Sequence, residues 1–470
     1  MGGLAMNSKL CVLSVLLFFS LLPDLSEGSG REIESHHHVV KVSSLMPKAV
    51  CSMSKDGRKS TLTVVHRYGP CSPLGSDKLT ATQMLEQDQA RVDSLQSRIS
   101  GRAQSQAEVS LEQATVPASS GRSMNTGNFI VTVGFGTPKN DMSLVFDTGS
   151  DVTWIQCQPC AGTCYSQQEK IFDPAQSSTY LNVSCGSAEC LQVSSATGNA
   201  VRCSSSTCVY SIQYGDQSFS VGFLSHEKLT LSTDVFSNFQ FGCGQNNQGL
   251  FGKTAGLLGL GRDKISFVSQ TAQKYGQVFS YCLPPSPSST GYLAFGGYKP
   301  SSAIKFTPLL TDSSNPSFYF LDFIGMAVGG RQLPISSSVF STGGTLIDSG
   351  TVITRLPPSA YTALRSSFKQ AMSKYPSSAA VSILDTCYDF SGFSTVTVPK
   401  IVMQFRGGAN IDVDFSGILV GVGSSKACLA FAGNSDAGAI TIIGNKQQQT
   451  FEVIYDVAKA RVGFGAGGCS

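Results

Sequence analysis

The sequence predicts an all-β protein built from two related halves with a few short helices, and three observations carry that expectation. Charged residues make up only 14% of the 470, while Gly alone numbers 48, a balance that suits short strands and tight turns better than coiled coils. From Asn128 onward, apolar and polar residues alternate over short runs punctuated by Gly. Finally, two near-copies stand 201 residues apart: Leu144-Val145-Phe146-Asp147-Thr148-Gly149-Ser150 and Thr345-Leu346-Ile347-Asp348-Ser349-Gly350-Thr351. Each is an apolar strand that ends in an aspartate, a small hydroxyl residue, a glycine and a second hydroxyl.

Residues 1–28 read as a secretory signal: Lys9 precedes the apolar run Leu10 to Leu22, and Ser26 and Gly28 fit a cleavage site. An organelle transit peptide is the alternative, but such peptides are Arg-rich and lack this compact apolar core. The run is short for a membrane span, and the last residues carry no apolar tail of the lipid-anchor kind. The expected location is extracellular, the apoplast, with vacuole or chloroplast as alternatives and no membrane anchor.

Residues 29–115 read as a prosegment with its linker. Leu62 to Tyr68 suits a strand and Pro70 to Pro73 a turn, while Leu79 to Ile99 places Leu85, Val92, Leu95 and Ile99 near helical spacing. Gly101 to Ser120 is rich in Gln, Ser, Ala and Gly, as exposed linkers are. Twelve Lys/Arg fall within residues 1–119, eleven of them after the signal, and they are able to pair with carboxylates of a cleft. A small accessory domain is the plainer alternative. The triplet His36-His37-His38 is read as solvated.

The two lobes are expected over 116–312 and 313–470. Phe129 to Val133 leads to a turn at Gly136-Thr137-Pro138, and Val209 to Tyr214 with Val221 to Leu231 forms a hairpin around Gly215 to Ser218. The clearest helix of this region runs from Pro357 to Met372, with Tyr361, Leu364 and Phe368 on one face. The repeat continues past the aspartates, because Leu257-Leu258-Gly259 follows the first and Ile442-Ile443-Gly444 the second. Two apolar residues and a glycine let another strand pass closely under the aspartate turn.

Two carboxylates held close cannot both ionise cheaply, so they share a proton and titrate as a unit. One can then take a proton from a water while the other protonates a carbonyl under attack. His226 is the only histidine after His66, which excludes Ser-His and Cys-His dyads and a His-rich zinc site. A net charge of +3 makes no case for nucleic acid or an anionic membrane, and the densest basic group, Lys55 to Lys59, includes Asp56. Past residue 120, twelve cysteines remain, an even number that points to disulfides, with zinc at Cys157-x-x-Cys160 and Cys164 as the competing reading. No cofactor and no metal are expected.

These motifs resemble the pepsin-like aspartic proteases over about residues 124–470. The Cys-rich stretch from Cys157 to Cys208 is similar to the plant nepenthesin-type, or atypical, members. Val65-His66-Arg67-Tyr68-Gly69-Pro70-Cys71 and the run from Tyr214 to Gly222 look like the subgroup containing the chloroplast nucleoid DNA-binding protease. The resemblance implies a bilobal fold of two β lobes, protein or peptide substrates, synthesis as a zymogen and a monomer. It also implies that Asp147 and Asp348 are the catalytic pair, supported by Thr148, Gly149, Ser150, Ser349, Gly350 and Thr351. Tyr214 would be the flap tyrosine, held by the indole of Trp154, for which core packing is the plainer role. The pairs implied are Cys157–Cys160, Cys164–Cys243, Cys185–Cys208, Cys190–Cys203, Cys282–Cys469 and Cys387–Cys428. Asn182 heads the sequon Asn182-Val183-Ser184.

Two readings compete with a protease. A catalytically dead homologue that inhibits a glycoside hydrolase would be expected to lack an aspartate or the flap, yet Asp147, Asp348 and Tyr214 are all present. A nucleoid DNA-binding protein would need a basic surface that the sequence does not offer, so nucleic acid is not an expected partner.

Overall fold

In both halves the aspartate strand is apolar on both of its faces, which is what a strand buried in the middle of a lobe requires. Strand β4 (Asn140–Asp147) is buried from Met142 to its end, and it pairs in parallel with Gly256–Gly259, Leu144 facing Gly256 and Asp147 facing Gly259. The second half repeats the arrangement with Thr345–Ile347 parallel to Thr441–Ile443. The two glycines that follow the apolar pairs are sterically required: a Cβ on Gly259 would lie 2.2 Å from the Asp151 carbonyl oxygen, and one on Gly444 2.6 Å from that of Val352. This computed structural model describes residues 1–2, 36–45, 50–53, 60–75, 80–100, 129–214, 218–249, 251–299 and 301–469. The signal-like segment, the linker and turn residues 215–217 therefore lie outside the described residues. Residues from His37 onward cluster as one unit.

The protein is mostly β-sheet, with two lobes joined by an antiparallel ribbon. In that ribbon Val278–Cys282 pairs with Thr290–Phe295 on one side and with Glu452–Asp456 on the other, so a strand pair of the first half meets one of the second. Arg461–Gly465 and Ile304–Leu310 continue it. A large apolar cluster spans the halves, including Phe146, Phe241, Phe279, Tyr455, Phe323 and Phe405. The helix Pro358–Ala371 buries Tyr361, Leu364 and Phe368, with proline in its first turn where no backbone donor is needed.

The segment before β4 is threaded through this body. Strand β1 (His37–Lys41) pairs with Thr395–Pro399 of the second half. Strand β2 (Thr61–His66) sits between Thr290–Phe295 and β3 (Phe129–Phe135). Helix α1 (Ala81–Ile99) opens with a capping box, Thr80 Oγ1 accepting from the Gln83 N–H and the Gln83 side chain accepting from the Thr80 N–H. Its apolar stripe is split between two contacts: Leu85 packs with Val352, Ile353 and Leu384, while Val92 and Leu95 pack with Phe318, Phe320 and Ile442.

Four of the implied cystine pairs are corrected. Cys157 bonds to Cys243 instead of Cys160, because Trp154–Gln156 runs parallel to the strand carrying Cys243 and the Cys157 N–H donates to the Gly244 carbonyl. Cys164 is consequently left to Cys160, at a sequence separation of 4, so neither joins Cys243. Cys185 pairs with Cys203 rather than Cys208, and Cys190 with Cys208 rather than Cys203. Burial explains the second exchange: Cys190, on the inner side of Ala188–Thr197, and Cys208 are both fully buried, whereas Cys203 is exposed and Cys185 only half-buried. Cys282–Cys469 and Cys387–Cys428 are paired, and a further bridge joins Cys51 to Cys71.

Candidate functional site

The two parallel strand pairs deliver Asp147 and Asp348 to one point, where both are almost wholly buried. Each carboxylate has the same local set of donors. Asp147 accepts from the Gly149 N–H at 3.0 Å and the Ser150 hydroxyl at 2.7 Å. Asp348 accepts from the Gly350 N–H at 3.1 Å and the Thr351 hydroxyl at 2.6 Å. Glycine is needed in both turns, since a Cβ on Gly350 would sit 2.7 Å from an oxygen of Asp147, and one on Gly149 2.8 Å from an oxygen of Asp348. Between the turns, the Ser349 N–H donates to Thr148 Oγ1 at 2.9 Å and the Thr148 N–H donates to Ser349 Oγ at 3.1 Å.

A cation occupies the space between the carboxylates. Arg91 of α1 places Nη2 2.6 Å from Asp147 Oδ1 and 2.9 Å from Asp348 Oδ1, with Nε 2.9 Å from Asp348 Oδ2. Burial alone would raise the Asp348 carboxyl. The Arg91 charge, with hydrogen bonds from Arg91, Thr351 and Gly350, outweighs that and holds it below the ordinary carboxylate range. Burial likewise disfavours the Arg91 charge, and the two carboxylates more than restore it. One turn away, Asp88 is fully buried and accepts the Val352 and Ile353 N–H groups at 2.6 and 3.0 Å, and it lies 3.0 Å from Arg355 Nη2. At the other end Gln96 trades two hydrogen bonds with the Ile440 backbone.

Trp154 is fully buried, and its indole N–H donates to the Tyr214 hydroxyl at 2.8 Å, with Phe251 packed edge-on against both rings. The same ring thus packs in the core and holds the Tyr214 hydroxyl. Tyr214 directly follows a hairpin strand whose Gln213 faces Phe219, so the ring projects from the base of the turn. Asn182 lies exposed on a two-residue strand.

Sequence reasoning missed the residues that act at a distance. Arg91 and Asp88 sit in the helical stretch that apolar spacing predicts, yet nothing local marks which polar residues of that helix face inward. Gln448 and Asn445 were also missed; Gln448 donates to the Asp348 carbonyl at 3.1 Å, and Asn445 to that of Ser349 at 2.9 Å. Asn445 directly follows Ile442-Ile443-Gly444 and Gln448 lies in the short helix Asn445–Gln448 that starts there, which is the signal that would have located them.

The profile of the family described as Xylanase inhibitor N-terminal matches residues 129–297, and that of Xylanase inhibitor C-terminal matches residues 318–466. An aspartyl protease family protein of Arabidopsis thaliana is 54% identical, covering 99% of this chain and 100% of the relative. Aspartic proteinase nepenthesin-2 of Nepenthes gracilis is 38% identical over 72% of this chain and 77% of its own. Among solved structures, basic 7S globulin from soybean superposes with a TM-score of 0.57 at 22% identity, covering 72% of this chain and 91% of the globulin, a likeness of fold.

Proposed function

The chain belongs to the plant nepenthesin-type aspartic proteases, and from that premise we propose that it is a secreted endopeptidase made in a latent form, silenced by its own helix α1. The observation that supports latency is the Arg91 guanidinium seated between Asp147 and Asp348. A water that attacks a peptide carbonyl has to occupy the same place. While Arg91 is there, its guanidinium engages oxygens of both carboxylates, so neither is free to hold that water.

With α1 gone, the dyad takes up one proton. The ionised member accepts a proton from the water as the oxygen attacks, and the other protonates the carbonyl oxygen. Hydrogen bonds from Gly149, Ser150, Gly350 and Thr351 fix the carboxylates for that exchange. We place Tyr214, held by Trp154, over the bound peptide as the group that closes the cleft. Exposed Asn182 is the proposed N-glycosylation site.

The names of the matched profiles favour a second reading, an inactive inhibitor of a xylan-cleaving enzyme. One experiment separates the two. The full chain is shifted from neutral to acidic pH with a denatured protein as substrate, beside Asp147→Asn and Asp348→Asn. Hydrolysis that appears in acid and is lost in both variants supports the protease. Absence of hydrolysis at every pH supports the inhibitor.

A further inference from the structure

The duplication gives Arg355 a counterpart. Trp154 stands seven residues after Asp147, and Arg355 seven after Asp348. Their strands have matching neighbours: Trp154 faces Leu257 on one side and Gly242 on the other, while Arg355 faces Ile442 and Ala432. Leu257 and Ile442 are themselves equivalent members of the two apolar-apolar-Gly runs. In the first lobe this position reaches up to Tyr214 at the mouth of the cleft. In the second lobe it carries a guanidinium, and α1 covers it.

Arg355 is 1% exposed, and its partners are divided between the body and the helix. Nη1 donates to the Ile353 carbonyl at 2.7 Å. Nη2 meets Asp88 Oδ2 at 3.0 Å and Gln89 Oε1 at 3.3 Å, both on α1. Nε has no hydrogen-bond partner among the described residues. When α1 leaves, the guanidinium keeps only the backbone contact and opens into the groove beside the dyad. The same departure bares the N–H groups of Val352 and Ile353, which Asp88 had capped. Two backbone donors and a guanidinium then converge on the place where a carboxylate has been sitting. Val352 and Ile353, already packed by Leu85, supply an apolar wall.

We propose that Arg355 is a specificity-determining residue of the substrate cleft, taking an aspartate or glutamate side chain of the peptide to be cut, with Asp88 as the internal mimic of that side chain. This rests on the release of α1 described above. Asp88 and Arg91 are one helical turn apart, about 4.5 Å along the axis. An extended peptide advances about 3.3 Å per residue, so the acidic residue falls within about three residues of the scissile bond. Lysine in place of Arg355 would keep the charge but not the fork that reaches two oxygens.

The test uses full chain activated in acid and then assayed at about pH 5, where most Asp and Glu side chains are ionised. A peptide library carries Asp, Glu, Asn or Gln at one position at a time. At one position the acidic peptides should surpass their amides in kcat/KM by about ten- to a hundredfold, the worth of one charged hydrogen bond. Arg355→Met should erase that ratio, and Arg355→Lys should retain part of it. Equal rates for acid and amide at every position overturn the proposal, as does a ratio that survives Arg355→Met. A binding cycle separates this from failure of the protease reading. A synthetic peptide of residues 81–99, and its Asp88→Asn form, are titrated into activated protein with and without Arg355→Met. Asp88 should matter only where Arg355 is present, whether or not any peptide is cut. A loss on Asp88→Asn that is the same in both proteins contradicts the proposal.

Discussion

Thr148 and Ser349, one from each half, exchange hydrogen bonds across the junction of the lobes, each hydroxyl accepting from the other residue's N–H. Both are buried, so neither N–H has water to fall back on. The exchange couples the two aspartate turns, and with them the spacing of Asp147 and Asp348.

Thr148→Val keeps the shape and removes the acceptor for the Ser349 N–H. Leaving a buried donor unpaired costs about 1–3 kcal/mol. Denaturant unfolding should show a loss of that size, and activated enzyme should lose kcat more than KM as the carboxylates drift. Thr148→Ser should recover both quantities. Wild-type kcat in the valine variant would show that the exchange does not set the dyad.

Arg91 should control the pH at which latency ends. Its charge holds the Asp348 carboxyl below the ordinary range while α1 is docked. A depressed carboxyl contributes to docking above its undocked value, near ~4 for an unperturbed carboxylate, and the contribution disappears as pH falls through the docked value. Arg91→Met removes it, so activity of the full chain should emerge at a higher pH than in the wild type. Asp88 works in the opposite direction. Burial raises its carboxyl, and Arg355 with the Val352 and Ile353 N–H groups only partly offsets this, so acid alone does not expel Asp88. A pH–activity series of the intact chain reads the shift directly; unchanged onset in Arg91→Met would deny Arg91 the role.

Asp151 makes the fold itself favour acid. Burial pushes its carboxyl up to about 7, despite the Asp263 N–H at 2.9 Å. A raised carboxyl binds its proton more tightly when folded, so its stabilisation is full below ~4 and is lost as pH climbs towards about 7. Asp151→Asn keeps the acceptor without the charge. It should be near neutral in effect at about pH 4 and stabilising by up to about 4 kcal/mol at about pH 8, since holding the proton from ~4 up to about 7 corresponds to roughly a thousandfold in proton affinity. Equal effects at both pH values would contradict it.

The duplicated skeleton was legible because its rules are local and chemical. An apolar strand ending in Asp-Thr-Gly or Asp-Ser-Gly, and a later apolar pair with glycine, fix how each half folds back on itself. The helix Pro358–Ala371 and the hairpin around 215–218 were legible for similar reasons, period and turn chemistry. Arg91 was not, because its partners are 56 and 257 residues away and only the docked helix brings them together. The place of β2 inside the ribbon was equally hidden, since a lone apolar run does not reveal its neighbours. Cys185, Cys190, Cys203 and Cys208 lie within one short stretch, and only burial decides which partner each takes.

Latency held by α1 is tested most directly by sequencing the N-terminus of the protein while its peptidase activity appears in acid. Cys51–Cys71 closes within residues 37–99, and among the described residues no bridge ties that segment to the lobes, so cleavage in the linker should free it without reductant. The expected result is a new N-terminus between about residues 100 and 125, rising in step with activity, while the uncut chain stays silent at neutral pH. Full activity in a chain that still carries residues 81–99 unbroken, with Arg91 between Asp147 and Asp348, would contradict it.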